Sequence, residues 1–376
     1  MNNEVWVLGA TGRTGRAVAA RLHQAGMPLV LVGRDRERLE GVAAGLGGAP
    51  RLLVGPLPSV LAKLAADPPG VVVNTIGPFT ATATQVAGAL PAGTHYVDVS
   101  NELPAAQKIL ALDAQAVAKG QMLVTGAGFG VLATESVVLR LCNGQPPAAR
   151  VRVDALASVA TEAGVLGSAL AATMVEIISS GGREVRHGRL VGARVAAHPR
   201  QLTTPDGEVL ATRSGPSGEL LAAWRASNAD SVIVGSALVP TNPVVRAVLP
   251  AVAALFRLPG VSRLAVNRLA RIPVRAHDKP RPCSWAHARA EWPTGTVREG
   301  WLRTGDGHDF TAAAAAEVTR RLLNGQGQPG AYTPGALYGP ELAEAAGGQF
   351  LIDQPVSQRI LTEKASSTAV PAVGTR

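Results

Sequence analysis

Three glycines at three-residue intervals, set between a β-branched run and an amphipathic stretch, carry the clearest chemical signal in the chain. The segment VWVLGATGRTGRAVAARL places them at Gly9, Gly12 and Gly15. In a strand–turn–helix unit the first glycine permits the tight turn, the second leaves room for a pyrophosphate, and the third lets the helix pack on the strand. The phosphates then rest on the helix N-terminus. Gly9, Ala10, Thr11, Gly12, Arg13, Thr14 and Gly15 together form a candidate dinucleotide cradle. The competing reading is a glycine turn in an α/β protein that holds no ligand.

The next β run ends VLVGRDR, so Gly33 and Arg34 stand at the corner where an NAD site usually carries an acid for the ribose 2′-hydroxyl. An arginine there pairs with a 2′-phosphate, and Arg13 is expected to reach the same place. NADP(H) is the cofactor these residues favour. Two charge-assisted contacts of about 1.5–2 kcal/mol each would set the preference over NAD(H) at roughly a hundredfold to a thousandfold. Asp35 lies one step into the following helix, and surface arginines that merely solvate a helix start are the plainer alternative.

Two further runs end in polar residues. VVVNTIGPF delivers Asn74, Thr75, Gly77 and Pro78 to the carboxyl edge of a sheet, where ligands of open α/β sheets bind, beside the nicotinamide and its ribose. HYVDVSNE delivers Tyr96, Asp98, Ser100, Asn101 and Glu102 to the same edge. Tyr96, Asp98 and Glu102 are the candidate catalytic residues, with helix capping the ordinary alternative for the two acids. None of Tyr96, Tyr332 and Tyr338 has a lysine four residues on, which removes the short-chain dehydrogenase acid. There is no HExxH, no GxSxG and no histidine pair at ligand spacing, so hydrolase and metal chemistry lack support. His95 reads as structural.

These residues need a parallel βαβ framework, and the first 125 positions supply one. Strands are expected at 4–8, 29–32, 51–54, 71–74, 95–99 and 122–125, with helices over 13–25 and 36–46 between them. After Gly144-Gln145-Pro146-Pro147 the rhythm shifts to longer strands at 151–159, 189–195 and 284–292 and a helix over 166–179, the pattern of a second α+β domain. A helix is expected over 309–323 on propensity. Residues 1–145 thus read as a dinucleotide domain, 146–308 as a substrate domain, 309–363 as a segment returning to the first, and 364–376 as a disordered tail. The fold class is α/β, a Rossmann-type doubly wound parallel sheet with an inserted α+β substrate domain.

Hydrophobic residues make up 47% of the chain and aromatics 3%, so its core is aliphatic. The net charge of +9 is spread along the sequence without aromatic interleaving, which argues against nucleic acid and suits anionic small molecules or an acidic carrier protein. Two distant cysteines, Cys142 and Cys283, and no leader pattern suit a reducing cytoplasm. No apolar run is long enough for a transmembrane span. Residues 244–269 read as a helical hairpin broken at Pro259-Gly260, with a membrane-surface helix or a lid as the sharper alternative.

GATGRTGR, NTIGPF, YVDVSNE and GAGFGVLATE, together with GAYTPGALYGPELAEAAGGQFLI near the other end, resemble the saccharopine dehydrogenase-like superfamily and, within it, the trans-acting enoyl reductases. The resemblance implies hydride transfer from NADPH to a C=C or C=N bond in a cleft between the two domains. It implies nucleotide contacts at Gly9, Thr11, Gly12, Arg13, Gly15 and Arg34, and nicotinamide contacts at Thr75, Gly77 and Pro78. Asn101, Phe129 and Gly130 fall at the implied substrate edge. There the chain departs from the family's YVDLTGE and GFDSVPSD: Asn101 replaces a glycine, Gly130 an aspartate and Ala133 a proline, while Glu135 stands at the second aspartate. The expected substrate is a small molecule or an acyl-carrier-bound metabolite, and the only expected protein assembly is a homodimer. A saccharopine-type amino-acid dehydrogenase, with Arg152, Arg183 or Arg186 clamping carboxylates, is the alternative within the class. A non-reducing NADP sensor or a cofactor-independent cyclase lies outside it.

Overall fold

The computed structural model describes residues 3–165, 167–237, 243–256 and 258–353. The expected tail over 364–376 lies outside them. Strands β1 (Val5–Leu8), β2 (Leu29–Gly33), β3 (Arg51–Val54), β4 (Val71–Asn74), β5 (His95–Asp98) and β6 (Met122–Val124) form one parallel sheet. Its spatial order is β6-β5-β4-β1-β2-β3, and the strand direction of travel reverses between β1 and β4. That reversal opens the crevice in which doubly wound sheets bind ligands.

Alternation along the strands explains the two layers. Val5, Val7, Leu31, Val73 and Val97 join one apolar cluster, whereas Trp6, Leu8, Val32, Val72 and Tyr96 join the other. Helices must therefore cover both faces, as the period-two pattern of doubly buried strands demands. Helix Arg13–Gln24 closes one face with Val18, Ala19 and Leu22, and helix Phe79–Ala89 closes the other with Ala83, Val86 and Ala87.

Six strands were expected here, and the sheet has seven. Gly330–Tyr332 adds in parallel beside β6, far from it in sequence. Helix Gly307–Leu323, capped by Asp306, which accepts from the backbone N–H of His308 and Asp309, packs against helix Arg13–Gln24. The C-terminal segment also serves the second sheet, because Gln349–Ile352 pairs with Val297–Thr304. Its connection to the first sheet is latched by Glu135, which accepts from the Thr333 hydroxyl and, at 2.8 Å, from the Gly335 N–H. Burial pushes the Glu135 carboxyl up to about 7 against these hydrogen bonds.

The second sheet is mixed and runs Arg189–Ala193, Gly182–Arg186, Ser231–Ser236, Arg150–Leu156, Ser284–Glu291, Val297–Thr304, Gln349–Ile352. Its inner face carries Val151, Val153, Ala286, Ala288 and Leu302, packed with helices Thr134–Cys142 and Glu219–Ser227 into the same cluster that underlies the first sheet. The outer face carries the polar group Arg152, Asp154 and His287 beside an apolar cluster of Leu156, Trp285 and Trp301, which Leu202 of the hairpin Arg200–Thr203 with Val209–Ser214 joins. Helices Ser168–Ser180, Pro243–Phe256 and Pro259–Leu269 pack on one another as a separate small module. The hairpin was expected to break at Pro259-Gly260; these two residues instead open the last helix, whose first turn has no use for the N–H that proline lacks. No helix among the described residues is long and apolar enough to cross a membrane.

Candidate functional site

Backbone geometry at the first βα turn accounts for each glycine separately. Gly9 has φ +79°, a left-handed conformation, and a Cβ on it would lie 2.9 Å from Thr75 Oγ1. A Cβ on Gly15 would lie 2.3 Å from the Gly9 carbonyl oxygen, so helix and strand touch backbone to backbone. Gly12 differs, since a Cβ there would meet only the Gly9 oxygen, at 3.3 Å. Gly12 also caps helix Arg13–Gln24 without a side-chain acceptor, and no acid occupies the first turn. The helix N-terminus therefore presents its N–H groups and its partial positive charge to an anion. Thr75 fixes the opposite wall, its hydroxyl donating to the Leu8 carbonyl at 2.7 Å. These residues fit a dinucleotide pyrophosphate.

At the neighbouring corner Arg34 is exposed at the end of the second strand, after Gly33. Asp35 is spent as the cap of helix Arg36–Leu46, accepting from the Arg38 N–H at 3.1 Å. Arg13 does not join Arg34. Its guanidinium donates to the Ala160 carbonyl at 2.7 Å and pairs with Glu162 at 3.3 Å, so it clasps the second domain. Arg16 adds a second contact to Glu162 at 3.1 Å. Arg38, unremarked in the sequence, holds the Thr11 carbonyl at 3.3 Å beside a cavity of about 430 Å³ lined also by Arg16 and Val42. Arg38 thus puts a further cation beside the glycine loop.

The polar residues at the ends of β4 and β5 sort into two groups. Asn74 is wholly buried; its amide donates to Thr82 and to Tyr96 Oη at 3.2 Å, and its oxygen accepts from the Ile76 N–H. It shapes the turn through Thr75, Gly77 and Pro78 and has no surface left for a ribose. Tyr96 donates to Asp98 Oδ2 at 2.9 Å, and Asp98 also accepts from Thr125 and from the Ser100 and Gly126 N–H groups. Both are buried, which pushes the tyrosine well up and raises the Asp98 carboxyl against its donors. This closed network ties β5 to the loop after β6, so Tyr96 and Asp98 position that loop.

Glu102, Asn101, Phe129 and Gly130 meet segments from much farther along the chain. The Glu102 side chain does not cap its own helix; it accepts from the Thr80 N–H at 2.8 Å, in the first turn of helix Phe79–Ala89, and from the Thr173 hydroxyl at 2.8 Å. Thr80 donates in turn to Glu176, one turn along from Thr173. Helix Ser168–Ser180 is thereby held over the edge of the nucleotide domain. Phe129 makes an edge contact with Phe310, and its N–H donates to Thr311 Oγ1 at 3.1 Å.

The residue the sequence did not reveal is Glu219. A Cβ on Gly130 would lie 2.5 Å from Glu219 Oε1, so a carboxylate from the second domain fills the space where an acidic side chain at position 130 would go. Asn101 donates to that oxygen at 3.0 Å, while Glu219 Oε2 is buried without a partner. Burial raises the Glu219 carboxyl, opposed by hydrogen bonding that includes Asn101. A buried carboxyl thus stands where helix Glu219–Ser227 meets Gly130 and Asn101. Only the paired departures at positions 101 and 130 hinted at it. Among the described residues no group of three or more His, Cys, Asp or Glu side chains could hold a metal ion.

Comparison with known proteins agrees with this geometry. Residues 5–124 match the family model of the saccharopine dehydrogenase NADP-binding domain. The apo saccharopine dehydrogenase (L-Glu forming) of Saccharomyces cerevisiae superposes with a TM-score of 0.58 at 13% identity, over 94% of this chain and 100% of that one. A short-chain dehydrogenase of Sphingobium yanoikuyae in complex with NADPH matches over 32% of this chain and 70% of its own, at 20% identity and a TM-score of 0.27. A ketone-specific alcohol dehydrogenase of Comamonas testosteroni covers 33% of this chain and 72% of its own, at 18% identity and a TM-score of 0.29. No curated protein matches by sequence. Residues 5–124 thus match a saccharopine dehydrogenase NADP-binding domain, and the chain as a whole has a saccharopine dehydrogenase-like fold.

Proposed function

We propose that this protein reduces a C=C or C=N bond of a small-molecule or carrier-bound metabolite with NADPH. The observation that carries the proposal is the Glu219 carboxyl, buried, raised and short of one hydrogen-bond partner at the implied substrate edge. NADPH bound at the glycine loop supplies the hydride. The loop Gly9–Gly15 and the N-terminus of helix Arg13–Gln24 hold its phosphates, and Arg34 with Arg38 selects the 2′-phosphate. Asn101 fixes one Glu219 oxygen, leaving the other free to hydrogen-bond a substrate and hand a proton to the atom beside the reduced carbon. Glu102 holds helix Ser168–Ser180 across the edge and so keeps water from it.

A conjugated C=C needs one proton at carbon, and an iminium needs none. The saccharopine-type reading is weaker, because two of the three cations it calls on are paired with acids and Arg183 donates to the Gly182 carbonyl at 3.3 Å. Arg152 grips Asp154 at 2.9 Å, and Arg186 pairs with Glu184.

Calorimetric titration of nucleotide-stripped protein tests the cofactor half. NADPH should bind at least about a hundredfold more tightly than NADH, and Arg34→Ala should lose about tenfold or more of the NADPH affinity alone. Binding of neither nucleotide would sink the reading. Screening enoyl thioesters and cyclic imines then tests the acid. Glu219→Gln, close in shape, should bind NADPH normally and lower kcat about a hundredfold on a C=C substrate, with a smaller effect on an imine. An unchanged kcat on both would remove Glu219 from the chemistry.

A further inference from the structure

The small helical module over the site carries an unusual surface. Met174 and Ile177 of helix Ser168–Ser180, Val248 and Leu255 of helix Pro243–Phe256, Leu258 and Leu264 beside and within helix Pro259–Leu269, and Val165 and Ile272 on the short ribbon next to them are all exposed. Leu255, Leu258 and Leu264 are each at least half exposed, at 50%, 55% and 57%. Most of the large exposed apolar side chains of the described residues fall on this one module of three mutually packed helices. Surface leucines scattered over a whole protein need no explanation, whereas their concentration on one small module does.

Charge identifies the occupant. Arg263, Arg268, Arg271, Arg275 and Lys279 are exposed on the same module and the segment that leaves it, and Asp278 is the sole acid in residues 243–281. Arg263 and Arg268 flank Leu264 on its helix, one residue before it and four after. Apolar side chains protruding among cations, on helices too short to span a bilayer, are the chemistry of a surface that lies on anionic lipid. A groove for a partner helix would instead be concave and would pair its cations with individual acids.

We infer that this module docks the protein on an anionic lipid bilayer. The docking face and the site share a helix. Thr173 and Glu176 point down to Glu102 and Thr80, while Met174 and Ile177 lie exposed, so the roof of the candidate site is also part of the membrane-facing surface. The inference does not depend on which bond is reduced.

Sedimentation of the full chain with extruded vesicles tests it. The protein should partition onto phosphatidylcholine vesicles containing about a quarter phosphatidylserine, far more than onto pure phosphatidylcholine, and the difference should shrink at about 0.5 M salt as charges are screened. Each cation at an anionic surface raises partitioning about fivefold, so Arg263→Ala/Arg268→Ala/Arg271→Ala together should lower it about a hundredfold. Leu258→Asn/Leu264→Asn should remove the salt-resistant remainder. Both variants should keep wild-type NADPH affinity, which shows that they fold and separates this result from the fate of the reductase reading. Failure of the wild type to bind anionic vesicles would overturn the inference, as would equal binding to neutral ones. So would capture of a purified acidic acyl carrier protein, lost in the arginine variant, by a chain that ignores vesicles.

Discussion

Gly15→Ala is expected to abolish measurable NADPH binding and to destabilise the protein by about 1–3 kcal/mol, through one methyl group. The new Cβ would sit 2.3 Å from the Gly9 carbonyl oxygen and 2.9 Å from both Gly9 C and Thr75 Oγ1. Two of those three atoms are backbone, so no rotamer change relieves the clash. Helix Arg13–Gln24 must move off β1, and the turn that depends on the positive φ of Gly9 moves with it. Gly12→Ala is the informative partner. Its Cβ meets only the Gly9 oxygen at 3.3 Å, so the protein should fold with little change while the methyl group intrudes on the pyrophosphate. Urea denaturation and calorimetry on both variants separate packing from binding: Gly15→Ala should fail both assays and Gly12→Ala only the second. Wild-type stability and affinity in Gly15→Ala would show that the turn is looser than its contacts imply.

The contrast between those glycines shows what sequence can and cannot convey. Residues acting through local backbone geometry were legible, because a strand, a turn and a helix within Val5–Gln24 have signatures only a few residues long. Two outcomes were not. Asn74, Tyr96 and Asp98 lie at the expected edge, yet their side chains turn into the sheet and satisfy one another, and whether a polar group faces ligand or neighbour is decided by contacts across strands. Arg13 looked like a phosphate ligand because it stands in the glycine loop; Glu162, which pairs with it, arrives from the segment after strand Arg150–Leu156. Glu219 was invisible for the same reason, since its importance lies in filling a gap left by Gly130. The seventh strand, Gly330–Tyr332, is too short and too distant to announce its place beside β6. Pairings across long sequence separations are what a single sequence encodes least directly.

The outer face of the second sheet extends that lesson to stability. Asp154 is fully buried there, gripped by Arg152 through Nε at 3.0 Å and Nη2 at 2.9 Å, by the Thr212 hydroxyl at 2.7 Å, and by His287 Nδ1 at 3.3 Å. His287 continues to Glu299 at 2.7 Å. The neighbouring strand makes room by carrying Gly235, where a Cβ would fall 2.0 Å from Asp154 Oδ1. Burial alone would raise the Asp154 carboxyl, but the hydrogen bonds from His287 and Arg152 outweigh it and hold the group far below the usual carboxylate range. Removing the acid leaves a partly buried guanidinium and a buried imidazole without it, so Asp154→Ala should cost about 3 kcal/mol at neutral pH, more than an exposed ion pair could account for. The pH dependence has a definite sign. Because the folded-state pKa is depressed, the stabilisation is complete above the unfolded carboxylate value near 4 and is lost as the pH falls from there toward the folded value. Asp154→Asn should therefore lose stability at pH 7 but show a flatter decline below about pH 4 than the wild type, so that the two denaturation curves converge in acid. Parallel curves from pH 7 to pH 3 would mean that Asp154 acts through shape and not through charge, and that the His287–Glu299 pair holds this face of the sheet without it.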